Sequence, residues 1–331
     1  MKDILYNLIF FVLCLMACLS NISCRSVHWV RIDRLTPSKI SISDKVRRVA
    51  VTYNQYLSDD EIKELRKVVY LDAKATADTL AQNLADAVYF EEIVVADSIL
   101  LPDMFFDSIK HELKPTAVEN LCRELQVDML LVVDGVFFVP RGVDLPFVRG
   151  EANVHVKCYK SGALWPIASI NEKNKLDWAP WEDLKPQMEC WAAEVILPFI
   201  VPQWRVEELP FYTGANVGQR EAAVYIREDN WDGAASIWKQ QLEHKNVQRR
   251  MEAHLNMAVY HEIKDETVDS ARIYAQKALD MSVKGDKNIK GKPVNPSEDY
   301  LLISEYIEDI ERRGADLKRL KEQMLRFSND F

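Results

Sequence analysis

The chain is poor in glycine, with ten residues in 331, and it lacks an excess of basic residues. Phosphate-binding loops depend on glycine, and neither a G-x-G-x-x-G turn nor a G-x-S-x-G elbow occurs. Lys and Arg number 42 against 51 Asp and Glu, which gives a net charge of −9. A nucleic-acid partner needs a basic face. We therefore expect no nucleic-acid partner and no cofactor.

Motifs for metal binding and catalysis are also missing. His111 and His261 each precede a glutamate, as in a zinc-protease motif, but the second histidine of that motif is absent. His254 and His261 lie seven residues apart on one helix face and are interpreted as surface polar residues. The carboxylates within residues 305–311 alternate with apolar residues, which predicts a solvated helix face. We expect no metal, no catalytic residue and no enzymatic activity.

The six cysteines fall into two groups. Cys14, Cys18 and Cys24 belong to the first residues of the chain, whereas the others are widely spaced without a C-x-x-C pair: Cys122, Cys158 and Cys190. A disulfide between two of these three remains an alternative. Buried free thiols are the favoured interpretation.

The first residues have the pattern of a processing segment. After Lys2, residues 4–19 are mostly apolar, but they are fewer than the ~20 apolar residues of a membrane-spanning helix. The run ends in small residues and cysteine, as bacterial lipoprotein signals do. We predict a signal over residues 1–23 and lipidation of Cys24, with Cys18 as the alternative acceptor. An ordinary signal peptide or an uncleaved anchor stays open. A lipid would anchor the chain to a membrane.

A mixed α/β domain is predicted over residues 45–180, after a leader or tether at 24–44. Apolar, β-branched residues predict strands, and a spacing of three or four predicts helices. The expected order is strand 47–54, helix 72–90, strand 93–97, helix 118–125 and strand 129–133, followed by a hairpin of residues 152–158 with 163–170. This order is typical of a sheet layered with helices.

Two features of this domain are candidate sites. Asp97, Asp128 and Asp134 lie at the ends of predicted strands, where sites of α/β proteins often form. Trp178 and Trp181 flank a polar segment and form a candidate exposed aromatic pair that would bind a sugar or a partner. The favoured alternative is that this pair covers the joint between domains.

The second half of the chain is predicted to be helical. A connector helix and loop are expected over 181–216, and helix pairs over 217–282. Small and large residues recur there at tetratricopeptide-like positions. The residues of this pattern are Ala222, Tyr225, Trp231, Ala234, Trp238, Asn256, Ala258, Ala271, Ala275 and Ala278. Residues 283–296 are expected to form a flexible loop and 297–331 a capping helix pair. The predicted fold is thus an α/β domain with a mixed sheet, followed by an all-α helical-repeat domain.

Part of the first domain resembles a known class of envelope domains. The residues that carry this likeness are an A-x-x-L-A-x-x-L-type helix followed by residues 89–95 and 121–130. Their order is similar to that of the amino-terminal domain of TolB-like proteins and of the curli-secretion lipoprotein. The resemblance implies a role in docking or assembly and no active site.

A longer resemblance covers most of residues 23–280. It rests on residues 23–27, 33–37, 127–130, 229–238 and 256–262. These segments resemble an uncharacterised group of lipoproteins from Bacteroides and related Bacteroidetes, which combine a lipoprotein signal, a domain of unknown function and tetratricopeptide-like repeats. The resemblance implies an interaction scaffold in the cell envelope and no transferable activity.

The leading hypothesis is a lipid-anchored scaffold that binds an unidentified envelope protein through its helical repeats. Residues 25–28 lack an acidic run after the cysteine, which favours the outer membrane with the body of the protein in the periplasm. Two alternatives remain. One is an enzyme or a protein that binds a sugar or another small molecule, with its site at the strand ends or at the tryptophan pair. The other is a component of a secretion or assembly machine.

Overall fold

The computed structural model describes residues 26–54, 69–96, 106–107, 112–144, 146–214, 216–265, 267–283 and 296–327. Cys18, Cys24, Asp97 and His111 lie outside these residues, as does most of the expected loop at 283–296. The chain divides into two compact units, and each is discontinuous in sequence. The α/β unit comprises Leu35–Gln203 and Arg319–Phe331. The helical unit comprises Met1–Arg34 and Trp204–Lys318.

Strands and helices share the described chain, so the mixed α/β class is confirmed. The strands are β1 (Ser26–Thr36), β2 (Arg48–Tyr53), β3 (Val69–Tyr70), β4 (Glu92–Val95), β5 (Phe106–Asp107), β6 (Glu112–Leu113), β7 (Met129–Asp144), β8 (Phe147–Lys160), β9 (Ala168–Pro180) and β10 (Gln203–Thr213). The helices are α1 (Ala73–Asp86), α2 (Pro115–Leu125), α3 (Trp181–Ile200), α4 (Val217–Arg227), α5 (Trp231–Gln241), α6 (Val247–Lys264), α7 (Asp269–Ser282) and α8 (Glu298–Met324).

The α/β unit is built on a mixed sheet with the order β4-β2-β7-β8-β9, and β3 pairs with β7. Strand β2 runs parallel to β4 and β7, whereas β7, β8 and β9 are antiparallel neighbours. Both faces of the parallel part are covered, which explains why β2 and the start of β7 are continuous apolar runs. Short strands β5 and β6 form a separate pair.

Alternate residues of the central strands serve two cores. Val49 and Leu131 belong to a large cluster with α1 and α3, which supply residues such as Leu80 and Ile196. Leu130 points the other way, into a smaller cluster with α2. The period of two along a strand makes this division. Each large apolar side chain so buried contributes about 1.5–3 kcal/mol to folding.

The hairpin partner of β8 lies later in the chain than the sequence predicts. The expected strand at 163–170 is wrong in its first half, since β9 begins at Ala168 and continues to Pro180. Pro166 has no amide hydrogen for the ladder, and Leu164 and Trp165 are exposed. A wider connection therefore precedes the strand.

Two strands belong to segments expected to be a leader and a loop. β1 and β10 form a two-stranded sheet. Ser26 contacts Thr213 and Arg31 contacts Glu208, so the strands run antiparallel. The segment 209–212, expected as loop, is the buried end of β10. The helical unit is therefore not all-α.

Helices α4 to α7 follow one another as two pairs, and successive helices pack together. Asn216, Asn230 and Asn246 cap the first three, each accepting a hydrogen bond from the first turn. The residues of the repeat pattern lie in the core of this unit, buried except for the partly buried Tyr225. Small side chains at these points allow close helix contacts.

The expected capping helix pair at 297–331 is instead one long helix, α8, with a short 3-10 turn at Leu325–Phe327. Gly314 lies between its two apolar stripes without breaking it. A Cβ atom at this glycine would come within 3.0 Å of Val268 Cγ2, so the residue serves close packing rather than a turn.

Across the described chain, no helix is both long and apolar enough to cross a membrane.

Candidate ligand pocket of the helical unit

A buried arginine is the centre of the candidate site. Arg34, on β1, is only 5% exposed. Its Nη1 atom donates to Glu207 Oε2 at 2.8 Å and to Glu262 Oε1 at 2.5 Å. The pairing of β1 with β10 brings Glu207 to Arg34, and helix α6 supplies Glu262. Burial of a guanidinium is tolerated because opposite charges and hydrogen bonds replace its water.

Glu262 is held from a second side by α8. The hydroxyl of Tyr306 donates to Glu262 Oε2 at 2.5 Å, so both carboxylate oxygens have a donor. Burial, and then the charge of Glu262, raises the pKa of Tyr306 well above its ordinary value. The tyrosine therefore stays protonated and acts as a fixed donor.

A polar cavity of about 200 Å³ adjoins this cluster. Its charged lining consists of Arg34, Arg312, Arg313, Glu207, Glu208, Glu262, Asp309 and Asp316. At its edge, Arg31 Nε lies 2.9 Å from Glu208 Oε1, and Arg312 Nη2 lies 2.7 Å from Asp309 Oδ1. These outer ion pairs are solvent-exposed and therefore weak.

Two guanidinium groups of the cavity have donors to spare. Nη2 of Arg34 has no hydrogen-bond partner within the described part of the chain. Arg313, half-buried on α8, forms no hydrogen bond or ion pair with the residues that the structure describes. Partial burial, and then the nearby charge of Arg34, lowers the pKa of Arg313 from its ordinary value. Arginine remains charged at neutral pH all the same.

The lining of this cavity can supply charged hydrogen-bond donors and acceptors to a ligand. Among the described residues, no serine, cysteine or histidine lines it. Within the ranges that the structure describes, no group of three metal-ligating side chains is found.

A second polar cluster fixes β10 to α6. The Tyr212 amide donates to Asn256 Oδ1 at 2.7 Å, and Asn256 Nδ2 donates to the Tyr212 carbonyl at 2.9 Å. The Tyr212 hydroxyl donates to Asp299 at 2.7 Å. Asn256, predicted from the sequence to be a helix-packing residue, thus supplies the two backbone hydrogen bonds that a neighbouring strand would give Tyr212.

His254 corrects an expectation from the sequence. It is 7% exposed, so its interpretation as a surface residue is wrong, and its ring lies 5.8 Å from that of Tyr274. His261 is half-buried, and its ring stacks on that of Tyr274 at 5.0 Å. Burial, followed by the charges of Lys277 and Arg250, lowers the pKa of His254 to about 4.

The candidate sites of the α/β unit are not brought together. Asp128 accepts the backbone amides of Arg47 and Arg48 before β7 begins, whereas Asp134 lies within β7 and pairs with Lys157 at 2.9 Å. The two aspartates are six positions apart along an extended chain, which is about 20 Å. Asp128 is therefore explained by its support of β2.

The two tryptophans of the candidate pair have different environments within the α/β unit. Trp178 is 47% exposed, and the guanidinium carbon of Arg149 lies 5.2 Å from its ring centre. Trp181 is half-buried, and its ring lies 5.5 Å from that of Phe138. Only Trp178 offers a largely exposed ring.

The three later cysteines are free. Burial raises the pKa of Cys158 to about 12 and that of Cys122, with help from Asp128, to about 11. Cys190 is exposed on α3, which contradicts the expectation of burial for that residue. Its thiol donates to Glu194 Oε1 at 3.4 Å.

The sequence contains one signal for the cavity that the motif search missed. Val30, Ile32 and Arg34 share one parity in β1, so the arginine occupies a position of the buried face. Asp309 belongs to the group of carboxylates assigned to a solvated face, and it lies at the cavity edge. A charged residue at a position of the buried, apolar face of a strand is the pattern that indicates such a site.

Comparison with protein families gives two matches. Residues 45–159 match a domain of unknown function, DUF8603, and residues 220–312 match another, DUF6340. No curated protein matches the chain.

Solved structures show low similarity to the chain. PelC from Paraburkholderia phytofirmans, a dodecamer, is 10% identical, with 53% of this chain and 100% of PelC covered and a TM-score of 0.29. A single-substitution variant of that protein gives 10%, 53%, 99% and 0.27. A homolog of the neuraminyllactose-binding hemagglutinin from Helicobacter pylori gives 10%, 46%, 80% and 0.22. Scores this low carry no argument about function.

Proposed function

We propose that this protein is a lipid-anchored component of the cell envelope and that its helical unit is a non-catalytic scaffold for another envelope protein. The observation that carries the proposal is the run of helices α4 to α7, which pack on small residues at tetratricopeptide-like spacing. In this proposal the chain belongs to the Bacteroidetes lipoproteins that it resembles, and its helices are divergent tetratricopeptide repeats.

Exposed apolar side chains on these helices support a partner surface. Val224 on α4 and Ile273 on α7 are 40% and 56% exposed. Single exposed apolar residues are common on protein surfaces, so their role needs a direct test.

The scaffold test compares point variants rather than truncations. Removal of residues 218–331 would also delete residues that belong to the α/β unit. We expect Val224→Asp and Ile273→Asp, singly and together, to lower partner recovery from solubilised envelopes. Val95→Asp, at an exposed position of β4, is the matched control. Equal recovery with all variants contradicts the proposal.

The anchor is tested by metabolic labelling with a fatty-acid probe. Lipidation at Cys24 predicts that Cys24→Ala abolishes the label and that Cys18→Ala keeps it. Two or more acyl chains at one cysteine provide stable anchoring, at ~0.8 kcal/mol per buried CH₂. The opposite pattern moves the site to Cys18, and a label unaffected by either change contradicts the lipoprotein assignment.

The orientation is tested by protease treatment of intact cells. In the proposed arrangement the outer membrane holds the lipid and the folded units lie in the periplasm. The protein then survives protease until the outer membrane is permeabilised. Digestion in intact cells places it outside.

A further inference from the structure

Arg34 lines the cavity, and one of its donor nitrogens has no acceptor among the described residues. Arg34 is nine-tenths buried, and its Nη2 atom is covered from solvent without an acceptor in the described residues. A buried charged donor without a partner is unfavourable, because nothing replaces the water that it has lost. The other terminal nitrogen of Arg34, Nη1, pairs with Glu207, whose side chain is 36% exposed.

The same cavity has a second available guanidinium. Arg313 lines the cavity together with Arg34, whose charge contributes to the lowered pKa of Arg313. Two guanidinium groups side by side attract a ligand oxygen, and a planar carboxylate matches their fork geometry. A ligand carboxylate is the chemical group that satisfies both.

The total charge of the cavity disfavours a ligand that carries only a negative charge. Carboxylates outnumber arginines in the lining by two, and the pairing of Arg31 with Glu208 reduces the excess to one. Asp309 and Glu208 lie in exposed ion pairs, which a ligand ammonium can share at low cost. The ligand therefore needs a positive group as well.

The size of the cavity restricts the ligand further. At about 200 Å³ it is below the ~300–1,000 Å³ of pockets that hold drug-sized molecules. A single small zwitterion fits this volume better than a peptide or a sugar chain.

We propose that this cavity binds a small zwitterion of the α-amino-acid type. Its carboxylate is held by Arg313 and, once the more exposed Glu207 side chain moves aside, by Nη2 of Arg34, and its ammonium lies against Asp309 and Glu208. The proposal is independent of the lipid anchor and of the scaffold role, since every group that it uses lies in this cavity.

The experiment uses the purified full-length protein and the L-amino acids as probes, with binding measured by calorimetry and saturation-transfer NMR. The best-binding amino acid is then compared with two analogues, one without its amino group and one without its carboxylate. Each analogue should bind at least about tenfold more weakly. No binding by any amino acid overturns the proposal, and an analogue without the amino group that binds equally well overturns the zwitterion.

Variants assign the binding to this cavity. Arg313→Gln should weaken binding of the best amino acid at least about tenfold while the melting temperature stays unchanged, because Arg313 makes no hydrogen bond among the described residues. Arg313→Lys keeps the charge without the fork and should recover binding in part. Arg220→Gln is the matched control, since Arg220 is exposed on α4 and outside the cavity lining. Unchanged binding by Arg313→Gln overturns the site.

Discussion

The cores of the two units are built from different materials. The α/β unit buries valine, leucine and isoleucine from strands and helices, and the charged side chain buried among its described residues is Arg326. The helical unit packs alanines against large side chains such as Trp231 and Trp238, and it buries four charged residues: Arg34, Glu252, Glu262 and Asp299.

The difference in core composition indicates which interactions stabilise each unit. Large apolar side chains supply stability through their area, almost regardless of partner. The helical unit buries more charged side chains than the α/β unit, so it depends more on specific hydrogen bonds between charged and amide groups. A polar core penalises any broken pair, because the remaining partner stays buried without water.

The largest expected effect comes from Glu262→Leu. This change leaves Arg34 and Tyr306 without their shared acceptor, which should lower the free energy of unfolding by about 3–5 kcal/mol. Urea denaturation measures the loss, and hydrogen exchange assigns it to the helical unit. Glu207→Ala, which removes the more exposed partner of Arg34, should cost about 1 kcal/mol or less. Equal losses for both would contradict the role of burial.

The corresponding change in the α/β unit is Arg326→Met. Arg326 is 1% exposed, lies 3.7 Å over the Tyr89 ring and donates to the carbonyls of Ile42, Ser43, Val46 and Tyr89. We expect a loss of about 2–4 kcal/mol in urea denaturation. Arg326→Lys keeps the charge but not the fork, so it should recover only part. Full recovery by lysine would show that charge alone matters.

The next effect is expected for Asn256→Ala. The change strands the amide and the carbonyl of Tyr212, at about 2 kcal/mol in total. Faster hydrogen exchange at the Tyr212 amide is the specific readout. Ala258→Gly, a change at a buried neighbour on the same helix, is the control and should leave that amide protected.

The smallest effect of this series depends on pH. His254 is neutral in the folded protein down to about pH 4, whereas its unfolded pKa is near the ordinary 6.5. The unfolded chain therefore binds more protons, so the helical unit loses stability as pH falls from about 6.5 to 4. Unfolding curves across this range measure the loss. His254→Leu should flatten the dependence, and an unchanged slope would assign it to other groups.

The sequence pattern predicts the α/β unit well where apolar residues form an unbroken run or a regular helical stripe. The apolar runs of β2 and β7 and the helical spacing of α1 lead directly to the observed elements. The boundaries of β2 and α1 differ by a few residues, whereas β7 continues eleven residues beyond its predicted end at 133. The start of β9 is predicted too early, because Pro166 cannot donate to the ladder with β8 and the strand begins after it. The single helix α8 is not predicted, because its two apolar stripes indicate two helices, whereas Gly314 between them is a packing residue.

The candidate cavity could not be predicted to the same extent. Arg34 can be placed on a buried face from the pattern of β1. Its two carboxylate partners lie 173 and 228 residues away in sequence. No local pattern identifies such partners, because only the tertiary fold brings them to the same guanidinium.

The return of the chain to the α/β unit has a consequence for the order of synthesis. Arg326 donates hydrogen bonds to backbone carbonyls within residues 42–89. The fold of this unit is therefore complete only when residue 326 has left the ribosome. Until then the nascent chain lacks the cation that these carbonyls require. The position of Arg326 in the sequence thus determines how late in translation the α/β unit can complete its fold.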